Sequence, residues 1–258
     1  MELSERVALV TGGGTGIGKA VARAMAQEGA RVVIAARDGT RLEAAADELR
    51  AEGYSVLPVA VDVRDKAGVR ECVATIRDQW GRVHILVNNA GTSGMTPMDD
   101  ADDGLWHTIV DTNLTGVYLL TKEVLGMMSE DGDGRIINMS SVLGKFGVPG
   151  YAAYCASKHG LIGFTRALAL ELVSRGITVN ALCPGWVDTE MSRAGIEQIA
   201  AQQGTDPESF KQQALAGVPI RRFLDPEEIA RFAVYLASDK ASGITGQALN
   251  ICGGQTMV

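Results

Sequence analysis

Seven short, almost unbroken apolar runs set the strongest limit on how this chain can fold: VALVT (7–11), RVVIAA (31–36), VLPVAVD (56–62), HILVNNA (84–90), RIINMS (135–140), TVNALCPG (178–185) and ALNICGG (248–254). A strand with one wet face alternates apolar and polar residues, whereas runs without alternation fit strands covered on both faces, as in a parallel sheet. Between the runs lie amphipathic segments such as GKAVARAMAQEG (18–29), RLEAAADELRAEG (41–53) and AGVRECVATIRDQWG (67–81), each with a glycine where a helix would stop. Strand and helix in alternation predict an α/β fold: a doubly wound parallel sheet of about seven strands, helices on both faces, and right-handed crossovers. With 258 residues, 46% of them hydrophobic, a single domain over 1–258 can bury a sizeable core. The stretch 190–224 breaks the rhythm. An irregular insertion of that length is expected to form a lid over a site, with Met191, Ile196, Ile199, Phe210 and Leu215 available to line it.

A formal net charge of −7 and the lack of any run of consecutive basic residues argue against nucleic acid or an anionic membrane as partner. No apolar run approaches the ~20 residues a membrane span needs, and the opening MELSERVALVTGG has neither the basic n-region nor the cleavage site of an export signal. The expectation is a soluble, cytoplasmic protein. Cys72, Cys155, Cys183 and Cys252 lie far apart without a CxxC or Cys/His cluster, which predicts reduced, buried thiols and no metal site. His84, His107 and His159 show no metal-ligand spacing and are read as structural or exposed; His159 would point roughly 100° away from its neighbour Lys158 on a helix.

The first apolar run leads into TGGGTGIG (11–18) and then directly into a helical segment. A glycine-rich turn there lets backbone approach a pyrophosphate, whose charge is favoured by the free N–H groups at the helix N-terminus. Followed by a second strand, this arrangement predicts a Rossmann-type dinucleotide site with Gly12, Thr15, Gly16, Ile17 and Gly18 at its floor. The second strand ends in AAR. Arg37 suits the 2′-phosphate of NADP(H), while Ala36 cannot hold the ribose hydroxyls of NAD; Asp38 could neutralise Arg37 or turn to the ribose itself, which leaves NAD as the alternative cofactor.

In YCASK (154–158), Tyr154 and Lys158 are four apart, on one helix face, with Cβ atoms about 5–6 Å from each other. A neighbouring ammonium stabilises a phenolate, so Lys158 is expected to lower the pKa of Tyr154 and make it a usable proton donor and acceptor. Ser141, just past the IINMS run, falls at the carboxyl edge of the sheet, where its hydroxyl can bond a substrate carbonyl; Ser140 is the rival candidate. Asn113 in DTNLTGV sits inside an apolar helical stretch and needs a local hydrogen bond or a water to satisfy it.

Taken together, TGGGTGIG, DV at 62–63, NNAG at 88–91, Asn113, Ser141 with YCASK, and PGWVDT at 184–189 resemble, in order and spacing along the whole chain, the motif set of the short-chain dehydrogenase/reductase family. The resemblance implies that Asn113, Ser141, Tyr154 and Lys158 form a catalytic tetrad. In it Tyr154 is the acid/base, Ser141 orients the substrate, Lys158 anchors the nicotinamide ribose, and Asn113 holds a proton-relay water. It likewise implies that Asp62 and Val63 contact the adenine, that Asn89, Ala90 and Gly91 border the adenosine ribose, and that Pro184, Gly185, Val187 and Thr189 embrace the nicotinamide.

Within the family the chain is most similar to 3-oxoacyl thioester reductases and aromatic polyketide ketoreductases. The reaction implied is hydride transfer between NADP(H) and a ketone or secondary alcohol. Fatty-acid reductases of this group carry arginines where Leu125 and Leu170 stand, and Glu130, Asp131 and Asp133 nearby would repel an acidic carrier protein. A free ketone, secondary alcohol or coenzyme A thioester is therefore the expected substrate, in a mostly apolar pocket drawn from Ser93, Met95, Ser141, Leu143, Val148, Tyr151, Trp186 and Met191. A catalytically idle dinucleotide-binding sensor or scaffold subunit is the competing class. Leu114, Val117, Leu119, Leu120 and Val124 place apolar side chains on more than one helix face, which suits a helix-to-helix subunit contact, and the resemblance implies a homotetramer.

Overall fold

The computed structural model describes residues 1–128 and 132–258. The elements run β1 (Val7–Thr11), α1 (Gly16–Gln27), β2 (Arg31–Ala36), α2 (Gly39–Ala51), β3 (Val56–Ala60), α3 (Lys66–Trp80), β4 (Ile85–Asn88), α4 (Gly104–Val110), a π-turn (Asp111–Thr115), α5 (Gly116–Val124), β5 (Arg135–Met139), α6 (Ala152–Leu172), β6 (Thr178–Pro184), α7 (Glu190–Gln203), α8 (Pro207–Ala216), α9 (Pro226–Ala237) and β7 (Ala248–Ile251). The strands form one parallel sheet in the order β3-β2-β1-β4-β5-β6-β7. The order reverses between β1 and β4, which opens the crevice at the carboxyl ends of the strands where such sheets bind ligands.

Successive strand residues explain the unbroken apolar runs. Val10, Ile34, Val87 and Ile137 pack into a cluster with α1, α2 and α9, whereas Leu9, Val33, Leu86 and Ile136 pack into another with α3, α5 and α6. Both faces of the sheet are dry, so neither set can be polar. The sequence limits also have local causes: Asp38 and Asp65 cap α2 and α3 by accepting from the N–H groups of Arg41 and Ala67.

The region 190–224 is not irregular, as its composition suggested, but largely helical. Thr189 caps α7 by accepting from Ser192 N, and Gly204 ends that helix with φ at +64°. Asp206 then starts α8 by accepting from the N–H groups of Glu208 and Ser209, with Pro207 in the first turn.

Of the apolar side chains suited to a helix-to-helix contact, Leu114 and Leu119 are half-buried and the others are covered. Val117, Leu120 and Val124 are buried, the last two against this subunit's own sheet. The large apolar side chains left outward on these helices are instead Tyr118, Leu170 and Val173, with Leu170 79% exposed. Glu130 and Asp131 lie outside the described residues, and so does the repulsion assigned to them. All four cysteines are buried and unpaired. Among the described residues no helix is long and apolar enough to cross a membrane, and no cluster of His, Cys, Asp or Glu has the geometry to hold a metal ion.

Candidate active site

Three cavities follow one another along the carboxyl edge of the sheet. The first, about 490 Å³, lies over β1, β2 and β3 and is walled by Gly12, Thr15, Arg37, Asp62, Val63, Ala90 and Gly91, together with Gly14, Arg41 and Thr112. The second, about 110 Å³, shares Gly91 with it and is walled by Ile17, Asn89, Ser141, Tyr154, Lys158, Pro184, Gly185, Val187 and Thr189. The third, about 180 Å³, shares Ser141, Tyr154, Gly185, Met191 and Ser192 with the second and extends to Ser93, Leu143, Phe146, Val148, Tyr151, Trp186, Ile199 and Gln255. Of the residues singled out from sequence, Gly16 and Gly18 stand behind these walls, and Met95 packs instead against Gly150.

The glycine turn is shaped by contacts that only glycine permits. Gly12 has φ at +65°, and a Cβ on Gly18 would stand 2.2 Å from the Gly12 carbonyl oxygen. Asn89 braces the same turn from the side, its Nδ2 donating to the Thr11 carbonyl at 2.9 Å, and also walls the second cavity. Thr15 at the N-terminus of α1 makes no capping bond, which leaves the first-turn N–H groups free to receive an anion. At the end of β2, Asp38 is occupied in capping α2, and among the described residues Arg37 has no ion-pair partner. Asp62 is clasped by Arg64, with Oδ2 2.6 Å from Nη2, which holds its carboxyl below the usual range. Sequence reasoning missed Arg41, which lines the first cavity and reaches across to Glu190 of α7 at 3.1 Å.

Asn113 is fully buried in the π-turn and finds its partners across the chain rather than locally. Its Oδ1 accepts from Thr92 N at 2.8 Å; its Nδ2 donates to Thr92 O at 2.9 Å and Ser157 Oγ at 3.1 Å. One extra residue in a helical turn re-aims a side chain, and here it turns Asn113 toward α6. Ser140, the rival to Ser141, also walls the second cavity, but its hydroxyl donates to the Lys158 carbonyl at 3.1 Å. Ser141 accepts from Leu143 N at 3.1 Å, and its hydroxyl also interacts with the Tyr154 phenol.

Tyr154 and Lys158 do lie together, with Nζ 5.5 Å from the ring centroid, but the expected lowering of the phenol pKa is reversed. Loss of hydration pushes Tyr154 up to about 12, with the Ser141 hydroxyl pulling the other way. Tyr154 keeps part of its surface because it walls two cavities, yet protein atoms crowd it on every other side. Burial likewise brings Lys158 down to about 8, and its ammonium is turned to the Met139 carbonyl at 2.8 Å. The one-turn spacing placed the pair correctly; what it could not show is how dry the pair is.

On the substrate side, α7 presents Met191, Gly195 and Ile199, spaced four apart, to the third cavity. That spacing was the signal available in the sequence for Gly195. Ile196 is buried on another face, and Phe210 and Leu215 on α8 are half-buried away from the cavity. Trp186 is stacked on Phe223 at 5.4 Å, and the Lys211 ammonium of α8 lies over the Phe223 ring at 5.8 Å.

This fold and this edge of the sheet define a class. A family model described as "Enoyl-(Acyl carrier protein) reductase" matches residues 12–256, and the chain belongs to the short-chain dehydrogenase/reductase family. Among its relatives, the chain is 46% identical over 250 residues to the provisionally named ketoacyl reductase 1 of the granaticin polyketide synthase of Streptomyces violaceoruber, covering 96% of this chain and 92% of that protein. It is 40% identical over 258 residues to the 3-oxoacyl-[acyl-carrier-protein] reductase FabG of Escherichia coli K12, covering 100% of both. A crystal structure of a variant of actinorhodin polyketide ketoreductase with NADPH superposes with a TM-score of 0.94 at 44% identity, covering 99% of this chain and 98% of that one.

Proposed function

We propose that this protein is an NADP(H)-dependent oxidoreductase that interconverts a ketone and a secondary alcohol on an apolar frame, with Asn113, Ser141, Tyr154 and Lys158 as its catalytic set. The observation that carries the reading is a shared wall. Tyr154 and Ser141 bound both the small cavity of Lys158 and Pro184–Thr189 and the apolar cavity of Leu143, Val148 and Trp186. Two hydroxyls thus stand between a place for a nicotinamide and a place for a ketone.

The residues of the first two cavities fit a dinucleotide. The bare glycine turn and uncapped α1 suit a pyrophosphate, and Thr112 Oγ1 is a buried wall atom of the first cavity with no hydrogen-bond partner. Arg37, exposed and unpaired among the described residues, suits a 2′-phosphate, and the capping duty of Asp38 removes it from competition for the ribose. The actinorhodin enzyme, 44% identical, is named with NADPH.

When bound, the dinucleotide supplies the hydride to the carbonyl carbon, or takes it back in the reverse direction. Tyr154, protonated below about pH 12, gives its proton to the carbonyl oxygen as that oxygen gains charge. Ser141 donates a second hydrogen bond to the same oxygen and fixes which atom faces Tyr154. Lys158 keeps one N–H on Met139 and holds the ribose hydroxyls with the others. The Asn113 side chain is fully engaged with Thr92 and Ser157, so it sets the distance between that loop and α6, and the relay water would rest on its main chain.

The substrate is a free ketone or a coenzyme A thioester in preference to a carrier-bound chain: Leu170 is exposed and offers no cation to an acidic carrier. Helix α7 serves as lid, and Tyr118, Leu170 and Val173 form a homotetramer contact in a cytoplasmic enzyme. The test is NADPH consumption over a panel of cyclic ketones, diketones and acetoacetyl thioesters. Tyr154→Phe abolishes turnover and retains NADPH binding; consumption by that variant at the wild-type rate rejects the assignment.

A further inference from the structure

Among the described residues, two buried side-chain oxygens without a hydrogen-bond partner belong to cavity walls: Thr112 Oγ1 in the first cavity and Gln255 Oε1 in the third. The other such oxygens, Asp133 Oδ1 and Asn250 Oδ1, line none of the cavities described above. A buried carbonyl left without a donor is costly to the folded protein, so an orphan of this kind in a binding cavity marks a group whose partner arrives with the ligand.

The surroundings of Gln255 sharpen this. Its main chain is fixed: Gln255 N donates to the Cys252 carbonyl at 3.1 Å, and the next carbonyl, that of Thr256, accepts from Asn250 Nδ2 at 3.3 Å. Its side-chain amide makes no hydrogen bond among the described residues, so no existing bond must break for it to re-aim. It lies beside the wall shared by the second and third cavities, since a Cβ on Gly185 would come within 2.9 Å of Oε1. Around it the third cavity is lined by Leu143, Phe146, Val148 and Ile199 and by Ser93, Tyr151 and Ser192, with no carboxylate, ammonium or guanidinium among the described residues. A charged donor would be stranded there, whereas a neutral one would be satisfied.

We propose that Gln255 is a substrate-specificity residue, whose amide oxygen accepts a hydrogen bond from a hydroxyl that the substrate carries near its reacting carbonyl. This rests on the ketoreductase reading above and narrows it: the preferred substrates are compact hydroxy ketones rather than plain hydrocarbon ketones. The sequence ICGGQTMV (251–258) suggested only an apolar end suited to a further interface, because Gln255 lies beyond the last strand and outside every pattern of spacing.

The test compares matched bicyclic ketones, with and without a ring hydroxyl, on wild type and on Gln255→Met, which keeps the length and removes the acceptor. Wild type favours the hydroxylated ketone, and in the variant the ratio of kcat/KM values between the two ketones falls by about tenfold to a hundredfold. NADPH affinity, read by fluorescence titration, shows that the variant is folded. Calorimetric binding of the hydroxylated ketone to the NADP-bound protein, which needs no turnover, weakens by a similar factor. An unchanged ratio together with unchanged binding overturns the role of Gln255. Absence of turnover with both ketones, with the binding difference preserved, overturns the ketoreductase reading and leaves the recognition role standing.

Discussion

Lys158 stands over the ring of Tyr154, 5.5 Å from its centroid, while spending a hydrogen bond on the Met139 carbonyl. Burial moves the two groups toward each other, the phenol up to about 12 and the ammonium down to about 8. Tyr154 therefore holds its proton across the neutral range, and it is Lys158 that titrates first. Ketone reduction is expected to fall as pH rises through about 8, when the ammonium is lost. Lys158→Arg, which stays charged, shifts that limb of the kcat/KM profile to higher pH; an identical limb in both proteins contradicts the assignment.

The same shift links stability to pH. Between about 8 and the ordinary lysine value of 10.5 the unfolded chain binds a proton at Lys158 that the folded one has released, so stability rises with pH across that window and is flat below it. At pH 9.5 the gain over pH 7 is ~2 kcal/mol. Denaturant unfolding of wild type and Lys158→Met at the two pH values isolates it, because the variant lacks the rise.

A buried amide chain ties the site together from below. Asn88 Nδ2 donates to Asn138 Oδ1 at 2.8 Å and to Thr121 Oγ1 at 3.0 Å, and Asn138 Nδ2 donates to Thr165 Oγ1 at 2.9 Å, joining β4 and β5 to α5 and α6. Asn138→Ala removes an acceptor and a donor at once from a position with no exposed surface. A loss of ~2–4 kcal/mol in unfolding free energy is expected, measured by urea titration.

Arg37 and Glu190 should act in opposite directions on cofactor choice. Arg37→Ala weakens NADPH about tenfold and NADH little, as charge-assisted bonds to a phosphate require. Glu190→Gln removes the nearer of the two carboxylates that hold Arg41 in this cavity, Glu190 at 3.1 Å and Asp38 at 3.7 Å, and tightens NADPH. Fluorescence titration with both nucleotides reads the two ratios; equal changes for NADH and NADPH would exclude a phosphate-reading role.

The stack behind the substrate cavity gives a separate handle. Phe223 keeps Trp186 upright from outside the cavity, and Phe223→Ala is expected to raise KM about threefold to tenfold while kcat changes less. Steady-state kinetics on any accepted ketone checks the split.

Much of this was legible in the letters, for identifiable reasons. The strands were marked by apolar runs because both faces of the sheet are covered, and β1 and β2 begin and end where those runs do. Ser141, Tyr154 and Lys158 were legible because one helix and one strand end fix them. The helices of 190–224 were obscured by polar, half-exposed sequence. The Tyr154 pKa was misjudged because a pairwise charge argument is local, whereas dehydration is set by residues far along the chain. Asn113 was recognised as needing a partner, but its bonds to Thr92 and Ser157 depend on a π-turn that no spacing rule signals.

The partition formed by Ser141 and Tyr154 has a practical consequence for redesign. Gly185, Met191 and Ser192 touch both chambers, whereas Phe146, Val148 and Ile199, beyond the partition, touch one only. Those positions can be varied to admit new ketones without disturbing the reducing chamber, so scope and chemistry in this scaffold are separable by geometry.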